Sequence, residues 1–228
     1  MIFIAEIGMN HNGNLDLCNE LVRQAKWAGA DIAKFQLGWR AQKGEINHIL
    51  PDDLSKIRSI CDYYDIEYMT SIITQEGFEL SSHVSQDRYK IASRTVIDYP
   101  NLVKSILDLD KPTFLSLGMW EEEELPFKEY KNITYLWCKS LYPAYPWDLI
   151  DLPDSFTNSE IKGYSDHSVG IEVAITAIVR GAEVIEKHFT LDKSDTTIRD
   201  HSLSASPEEF RTLVNLGRNI YKNNKIGI

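Results

Sequence analysis

The feature that most constrains the fold of this chain is a pair of segments with polar carboxyl ends, GYSDH at 163–167 and EKHFT at 186–190. Between them, apolar residues at helical spacing run up to a glycine, and Ser168 is the predicted helix cap. This pattern predicts a strand-helix-strand unit with parallel strands. Because side chains alternate between faces along a strand, His167 and His188 are expected to face the same mouth.

The neighbours of these histidines decide between a structural role and a functional one. A single histidine at a strand end is more often a hydrogen-bonded structural residue than a ligand. Here Ser165 shares a face with His167, and Glu186 shares one with His188, so polar groups converge where a purely structural barrel would place Val or Ile. The pair therefore predicts a metal or substrate site.

The rest of the chain repeats the same alternation of strand and helix. Strands are predicted at 2–8, 31–37, 67–72, 88–93, 112–118, 133–138, 161–167 and 184–190. The acidic run at 121–124 is interpreted mostly as a solvated helix start. With no linker rich in Pro, Gly or Ser, the pattern predicts one domain over residues 1–228, a closed (β/α)8 TIM barrel rather than an open doubly wound sheet.

Composition excludes several classes of partner. The formal charge of -10 and the pI near 5.1 argue against nucleic acid and against an acidic membrane surface. The N-terminus lacks a basic region, and no apolar run approaches membrane-spanning length, so neither a signal peptide nor a membrane span is predicted. Three widely separated cysteines indicate free thiols rather than disulfides or a thiolate zinc site. A cytoplasmic protein is expected.

In a barrel of this kind the reacting groups sit at the carboxyl ends of the strands. The polar residues predicted there are Glu6, Lys34, Gln36, Ser71, Lys90, Ser93, Ser116, Ser140, Tyr142, Ser165, His167, Glu186 and His188. Two lysines among several hydroxyls indicate a pocket for a phosphate and a carboxylate. Buried ion pairs with Glu6 or Glu186 are the structural alternative, and Schiff-base lysine chemistry is a further one.

Two imidazoles with oxygen ligands suit a divalent ion such as Mn²⁺, and residue type alone leaves zinc and iron open. Such an ion would polarise a carbonyl. The other histidines that we assessed, His11, His48 and His83, fall in predicted loops or on helix surfaces, and a surface position is expected for each.

Several motifs, in this order along the chain, resemble the N-acetylneuraminate (sialic acid) synthase family, including its legionaminic and pseudaminic relatives. They are AEIG at 5–8 with NHNG at 10–13, KFQ at 34–36, YKIAS at 89–93, LSLGM at 115–119, YP at 142–143, GYSDH at 163–167 and EKHFT at 186–190.

The resemblance implies a (β/α)8 barrel that condenses phosphoenolpyruvate with the open-chain aldehyde of an N-acetylated hexosamine. The products would be a nonulosonic, sialic-type 2-keto acid and phosphate, and a divalent ion, Mn²⁺ or Mg²⁺, would be required. By position, His167 and His188 would hold the metal and act in catalysis, and Glu6 would orient water or shuttle a proton at the reacting centre. The residues implied to bind phosphoenolpyruvate are Lys34, Ser71, Lys90, Ser93, Ser116 and Ser165, and those implied to face the sugar are Gln36, Tyr142 and Asp200.

Several departures from the family pattern bear on function. Arg94 and Thr95 stand where the family usually has Gly-Glu, whose carboxylate is expected at the reacting centre. Ser140 replaces the usual Asn, and DTTIRD at 195–200 replaces a Pro-Gly-Pro-Asp loop. The family's C-terminal antifreeze-like domain, which lends an arginine to the partner subunit's site, does not follow the last predicted helix. We therefore expect a homodimer or a separate antifreeze-like polypeptide, or an altered barrel that serves as a sugar- or anion-binding or assembly partner.

Overall fold

A computed structural model describes residues 1–226, and its core is a closed barrel of eight parallel strands in sequence order. The strands are β1 (Ile2–Gly8), β2 (Ile32–Leu37), β3 (Glu67–Ile72), β4 (Tyr89–Ile91), β5 (Thr113–Ser116), β6 (Ile133–Cys138), β7 (Ile161–Asp166) and β8 (Val184–His188). β1 pairs with both β2 and β8, which closes the barrel. The prediction of a (β/α)8 TIM barrel is confirmed.

Helices connect most of the strands and cover the outside of the barrel. They are α1 (Leu15–Trp27), α2 (Pro51–Tyr63), α3 (Gln75–Ser81), α4 (Ser93–Asp98), α5 (Pro100–Leu107), α6 (Glu172–Val179), α7 (Asp200–Leu203) and α8 (Pro207–Ile226), with a short 3-10 turn at Pro146–Asp148. None of the helices within residues 1–226 combines the length and apolar character that a membrane span needs.

The inward-facing side chains change character along the barrel axis. Near the amino ends of the strands they form an apolar cluster of Ile4, Ile32, Met69, Phe114, Leu136 and Val184. Two residues further along several strands, the next inward position is polar: Glu6 follows Ile4, and Lys34 follows Ile32. Because alternation keeps both positions on the inner face, the apolar cluster forms the floor beneath a polar cavity.

Local signals fix the elements that frame this cavity. The Asn14 side chain accepts hydrogen bonds from the first turn of α1, and Gly29, at φ +91°, follows the helix. Elsewhere in the barrel, Gly163 allows β7 to approach β8, since a Cβ there would lie 2.4 Å from the carbonyl oxygen of Val184. A side chain at position 163 would therefore force these two strands apart.

Three local predictions were wrong. β4 ends at Ile91 and helix α4 begins at Ser93, a helix that the sequence analysis missed. Ser168 does not cap α6, because its backbone N–H and its hydroxyl both donate to Asp166 Oδ1, at 2.7 and 2.6 Å. The acidic run at 121–124 contains no helix, and Trp120 instead donates its indole N–H to the backbone carbonyl of Glu124 at 2.8 Å.

Candidate active site

A cavity of about 740 Å³ opens at the carboxyl ends of the strands. Every residue that the sequence assigned to the site lines it: Glu6, Lys34, Gln36, Ser71, Lys90, Ser93, Ser116, Tyr142, Ser165, His167, His188 and Asp200. The structure thus brings together side chains from all eight strand ends. Their individual roles remain predictions.

Charged side chains form a buried ionic array at the bottom of the cavity. Lys34 Nζ lies 2.7 Å from Glu6 Oε2 and 3.5 Å from Glu186 Oε2, and Lys90 Nζ lies 3.4 Å from Glu186 Oε1. All four side chains are at most 5% exposed. The lysines are therefore ion-paired, as the structural alternative expected, while they also line the cavity, as the anion-pocket prediction expected.

Hydroxyl and amide groups surround this array. The Ser165 hydroxyl donates to Glu186 Oε1 at 2.6 Å, and Gln36 Nε2 donates to Glu6 Oε1 at 2.6 Å. Ser93 Oγ accepts the backbone N–H of Gly118 at 2.9 Å. The buried hydroxyl of Ser116 has no hydrogen-bond partner within residues 1–226, and buried polar atoms normally have one. A ligand oxygen would supply that missing partner.

The two carboxyl groups of the array, those of Glu186 and Glu6, have pKa values that are shifted in opposite directions. Burial favours the neutral form of Glu186, but Lys34 and Lys90 outweigh it and lower the pKa of this carboxyl to about 2. Burial, reinforced by the charge of Glu186, raises the pKa of Glu6 above its ordinary value despite Lys34. Glu186 is thus a permanent anion, and Glu6 is the better candidate for proton exchange.

The lysines are also distinguishable by pKa. Burial lowers the pKa of Lys90, and the attraction of Glu186 offsets only part of that effect. For Lys34, burial is outweighed by Glu186 and Glu6, so the pKa lies above its ordinary value. Lys34 is therefore the more firmly charged of the two.

The two predicted metal ligands, His167 and His188, both line the cavity, and their ring centroids lie 5.5 Å apart. His167 Nδ1 donates to the backbone carbonyl of Lys139 at 3.0 Å, and its Nε2 accepts from the Tyr142 hydroxyl at 3.2 Å. His188 Nδ1 is buried and has no partner within residues 1–226. Burial lowers the pKa of His188 to about 4, so this imidazole is neutral near pH 7.

The neutral imidazole of His188, with its unpartnered Nδ1, fits a divalent metal by donor type, whereas Nε2 of His167 would have to exchange its bond from the Tyr142 hydroxyl for one to the ion. In the described part of the chain, however, no group of three or more His, Cys, Asp or Glu side chains is placed to hold an ion. An ion at His167 and His188 would therefore need oxygen atoms of water or substrate to complete its coordination, as catalytic metal sites often do.

The cavity is also lined by residues that the sequence analysis did not assign to the site, among them Trp39, Arg94, Glu121, Cys138 and Arg199. The guanidinium carbon of Arg199 lies 4.3 Å from the centre of the Tyr142 ring. For two of these residues, the sequence contained a feature from which the cavity position could have been predicted. Cys138 shares the inner face of β6 with Leu136, and Arg199 immediately precedes Asp200.

Thr95, which stands where the family pattern has a second carboxylate, is not among the residues that line the cavity. Its hydroxyl is fully buried and donates to the backbone carbonyls of Ile72 and Ile73, at 3.2 and 3.4 Å. Thr95 therefore joins α4 to the end of β3, whereas its neighbour Arg94 lines the cavity.

The expectation for His11 was wrong, whereas His48 and His83 are exposed as predicted. His11 is only 2% exposed, because Asn10 binds its turn to the loop after β8 through the carbonyl of Phe189 at 3.0 Å. Burial lowers the pKa of His11 to about 4.

A closed (β/α)8 barrel with lysines, carboxylates, hydroxyls and a histidine pair at the carboxyl ends of its strands has its polar cavity where barrels of this architecture bind their ligands. The chain belongs to the NeuB family, whose model matches residues 42–227.

Individual relatives agree with this assignment. The N,N'-diacetyllegionaminic acid synthase of Campylobacter jejuni is 32% identical over an alignment of 260 positions. That alignment covers 97% of this chain and 76% of that protein. The pseudaminic acid synthase of the same organism is 32% identical over an alignment of 254 positions, which covers 96% of this chain and 73% of that protein. A crystal structure of N-acetylneuraminic acid synthetase from Leptospira borgpetersenii, in complex with citrate, superposes on this chain with a TM-score of 0.86 at 27% sequence identity. The superposition covers 100% of this chain and 85% of that one.

Proposed function

We propose that this chain condenses phosphoenolpyruvate with the open-chain aldehyde of an N-acetylated hexosamine, giving a nonulosonic acid and inorganic phosphate. The observation that carries the proposal is the buried array of Glu6, Lys34, Glu186 and Lys90 at the base of the cavity. Membership of the NeuB family supports it. Two relatives of equal identity are named for different products, so the sugar is specified here only by class.

The reaction balances as follows. C3 of phosphoenolpyruvate bonds to the aldehyde carbon, and the aldehyde oxygen gains a proton to become a hydroxyl. Water adds to C2, the bond from C2 to the bridging oxygen breaks, and the proton of the new C2 hydroxyl goes to the departing phosphate, so that C2 becomes a ketone. Glu6, the carboxyl with the raised pKa, would take the proton of the attacking water.

The other residues would bind and orient the two substrates. Lys34 and Lys90 would hold the anionic groups of phosphoenolpyruvate, and the free hydroxyl of Ser116 would donate to one of its oxygens. The hydroxyls expected to share this task are those of Ser71, Ser93 and Ser165. The side chains expected at the sugar are those of Gln36, Tyr142 and Asp200.

NeuB-family synthases generally depend on a metal ion. His167 and His188 would hold that ion, Mn²⁺ or Mg²⁺ by expectation, and the bound ion would polarise the aldehyde carbonyl. The bond from His167 Nδ1 to a backbone carbonyl supports this assignment, because it would leave Nε2 as the nitrogen that binds the ion.

The test is release of inorganic phosphate from phosphoenolpyruvate by the purified chain with Mn²⁺ or Mg²⁺, across a panel of N-acetylated and di-N-acetylated hexoses. The proposal expects phosphate and a 2-keto acid in equal amounts, and only when an acceptor sugar is present. Phosphate release that ignores the acceptor, or no release with any sugar, would contradict it.

A second candidate is an altered barrel that binds the same ligands without turnover. The observation that favours it is the position of Thr95, whose hydroxyl faces the backbone of β3 rather than the cavity. Calorimetric binding of phosphoenolpyruvate, without phosphate release from any acceptor, would support this candidate.

A Schiff-base aldolase is a third reading, and the lowered pKa of the buried Lys90 amine favours it. Incubation with pyruvate and sodium borohydride, followed by mass spectrometry, would detect the reduced adduct. The condensation proposed above expects no adduct at Lys90.

A further inference from the structure

We infer that Arg199 makes this site selective for an acceptor sugar that carries an anionic group, a phosphate or a carboxylate, at the end remote from its aldehyde. The inference rests on the proposed function, because it concerns the second substrate of that reaction.

The first observation is the geometry of the Arg199 side chain. Its Nε donates to Asp200 Oδ1 at 3.1 Å, and its guanidinium carbon lies over the Tyr142 ring, 4.3 Å from the ring centre. In residues 1–226, neither terminal nitrogen of this guanidinium donates a hydrogen bond. Two neighbouring N–H donors on a planar cation match the oxygens of a phosphate or a carboxylate.

The second observation is the position of Arg199 relative to the lysines. Lys34 and Lys90 are 3% exposed at the bottom of the cavity, whereas the Arg199 side chain is 64% exposed at its entrance. An acceptor must place its aldehyde next to phosphoenolpyruvate at the bottom, so its remote end extends toward the entrance. Arg199 is therefore positioned for the acceptor rather than for phosphoenolpyruvate.

The third observation is that the loop carrying Arg199 is held in place. His201, one residue beyond Asp200, is buried, with Nδ1 2.7 Å from Thr190 Oγ1 and Nε2 3.2 Å from Asn12 Oδ1. The Ser204 hydroxyl donates to the backbone carbonyl of Asp200 at 2.6 Å. These contacts fix the backbone at Arg199, so binding an anion there requires little ordering of the loop.

The charges around the entrance provide a control. Besides Arg199 and Asp200, the outer cavity wall carries Arg94 and Glu121. Arg94 follows β4, on the side of the barrel opposite β8, and its carboxylate partner, Asp98, is 3.7 Å away. Removal of Arg94 changes the net charge as much as removal of Arg199 does, but it leaves the proposed anion site intact.

The experiment compares N-acetylmannosamine, its 6-phosphate and its uronic acid as acceptors for the parent, Arg199→Met, Arg199→Lys and Arg94→Met. The parent is expected to show kcat/KM about tenfold or more higher for an anionic acceptor, the scale of one charge-assisted hydrogen bond. Arg199→Met should lose this preference through the KM of the acceptor, with the KM of phosphoenolpyruvate unchanged. Arg199→Lys should retain part of this preference. Arg94→Met should have the same ratio of kcat/KM values for anionic and neutral acceptors as the parent.

Two kinetic results would overturn the inference. One is a parent that uses the neutral sugar as well as both anionic sugars. The other is an Arg199→Met variant whose losses are equal for all acceptors or fall on phosphoenolpyruvate, since a structural arginine packed on Tyr142 would act in that way.

If the parent releases no phosphate with any acceptor, the proposed function fails, and the inference is then decided by binding. Calorimetry would measure N-acetylmannosamine 6-phosphate against the parent and Arg199→Met. Binding that weakens about tenfold in the variant supports an anion site at Arg199, whereas equal affinity or no binding to the parent overturns it.

Discussion

Substitution of Glu186 by glutamine tests whether the ionic array stabilises the fold. The pKa of Glu186 is lowered from 4.5 to about 2, mainly because Lys34 and Lys90 outweigh the effect of burial. At 1.36 kcal/mol per pKa unit, this shift corresponds to roughly 3 kcal/mol of stability near neutral pH. Glu186→Gln keeps the shape of the side chain and removes the charge, so its expected cost is of that order. For a chain of this size, Tm should fall by about 6 to 12 °C.

The pH dependence of unfolding gives a second readout. A carboxyl with a depressed folded-state pKa contributes stability above its unfolded pKa, and that contribution disappears as pH falls through the folded value. The free energy of unfolding of the parent should therefore fall more steeply between about pH 4.5 and pH 2 than that of Glu186→Gln. Glu183→Gln, an exposed position just before β8, is the matched control. Urea unfolding curves that coincide for parent and Glu186→Gln at pH 7 would refute the reasoning.

Four further predictions concern individual side chains. Glu6→Gln should lower turnover by about 10²-fold or more, which is the scale for losing a positioned acid or base, while its circular dichroism spectrum stays unchanged. Turnover equal to that of the parent would show that Glu6 takes no part in the chemistry. Lys90→Met should weaken phosphoenolpyruvate binding in calorimetry by about 2 to 5 kcal/mol, and Lys34→Met should behave alike; unchanged affinity in both would leave only their structural ion pairs. His188→Ala should abolish calorimetric Mn²⁺ binding while the fold persists, and retained binding would mean that the ion lies elsewhere. Thr95→Glu should lower stability in urea by more than about 2 kcal/mol, because a carboxylate would replace a buried hydroxyl that binds two carbonyls; a parent-like stability would contradict that burial.

The periodic parts of the fold were predictable from sequence. The inward positions of the strands follow period two, which is why Glu6, Lys34 and Glu186 could be assigned to one cavity before the structure was considered. The strand order also followed from sequence, since alternating strands and helices close in sequential order.

What sequence reasoning missed depends on contacts between segments that are distant or irregular. Helix α4 was missed because the strand predicted at 88–93 extends over its first residue, Ser93. The surface position expected for His11 failed because Asn10 binds its turn to the loop after β8, a contact across 179 residues. Arg199 was not assigned because its orientation depends on Tyr142, which lies on another loop.

The most direct test of the proposed reaction uses phosphoenolpyruvate labelled with ¹⁸O at the oxygen that bridges C2 and phosphorus. The purified chain would be incubated with Mn²⁺ or Mg²⁺ and the acceptor that gives most phosphate release, and both products would be analysed by mass spectrometry. If water adds to C2 within the array of Glu6, Lys34, Glu186 and Lys90, the label must leave with inorganic phosphate. Label retained in the 2-keto acid, or phosphate released without a new carbon-carbon bond, would contradict the account.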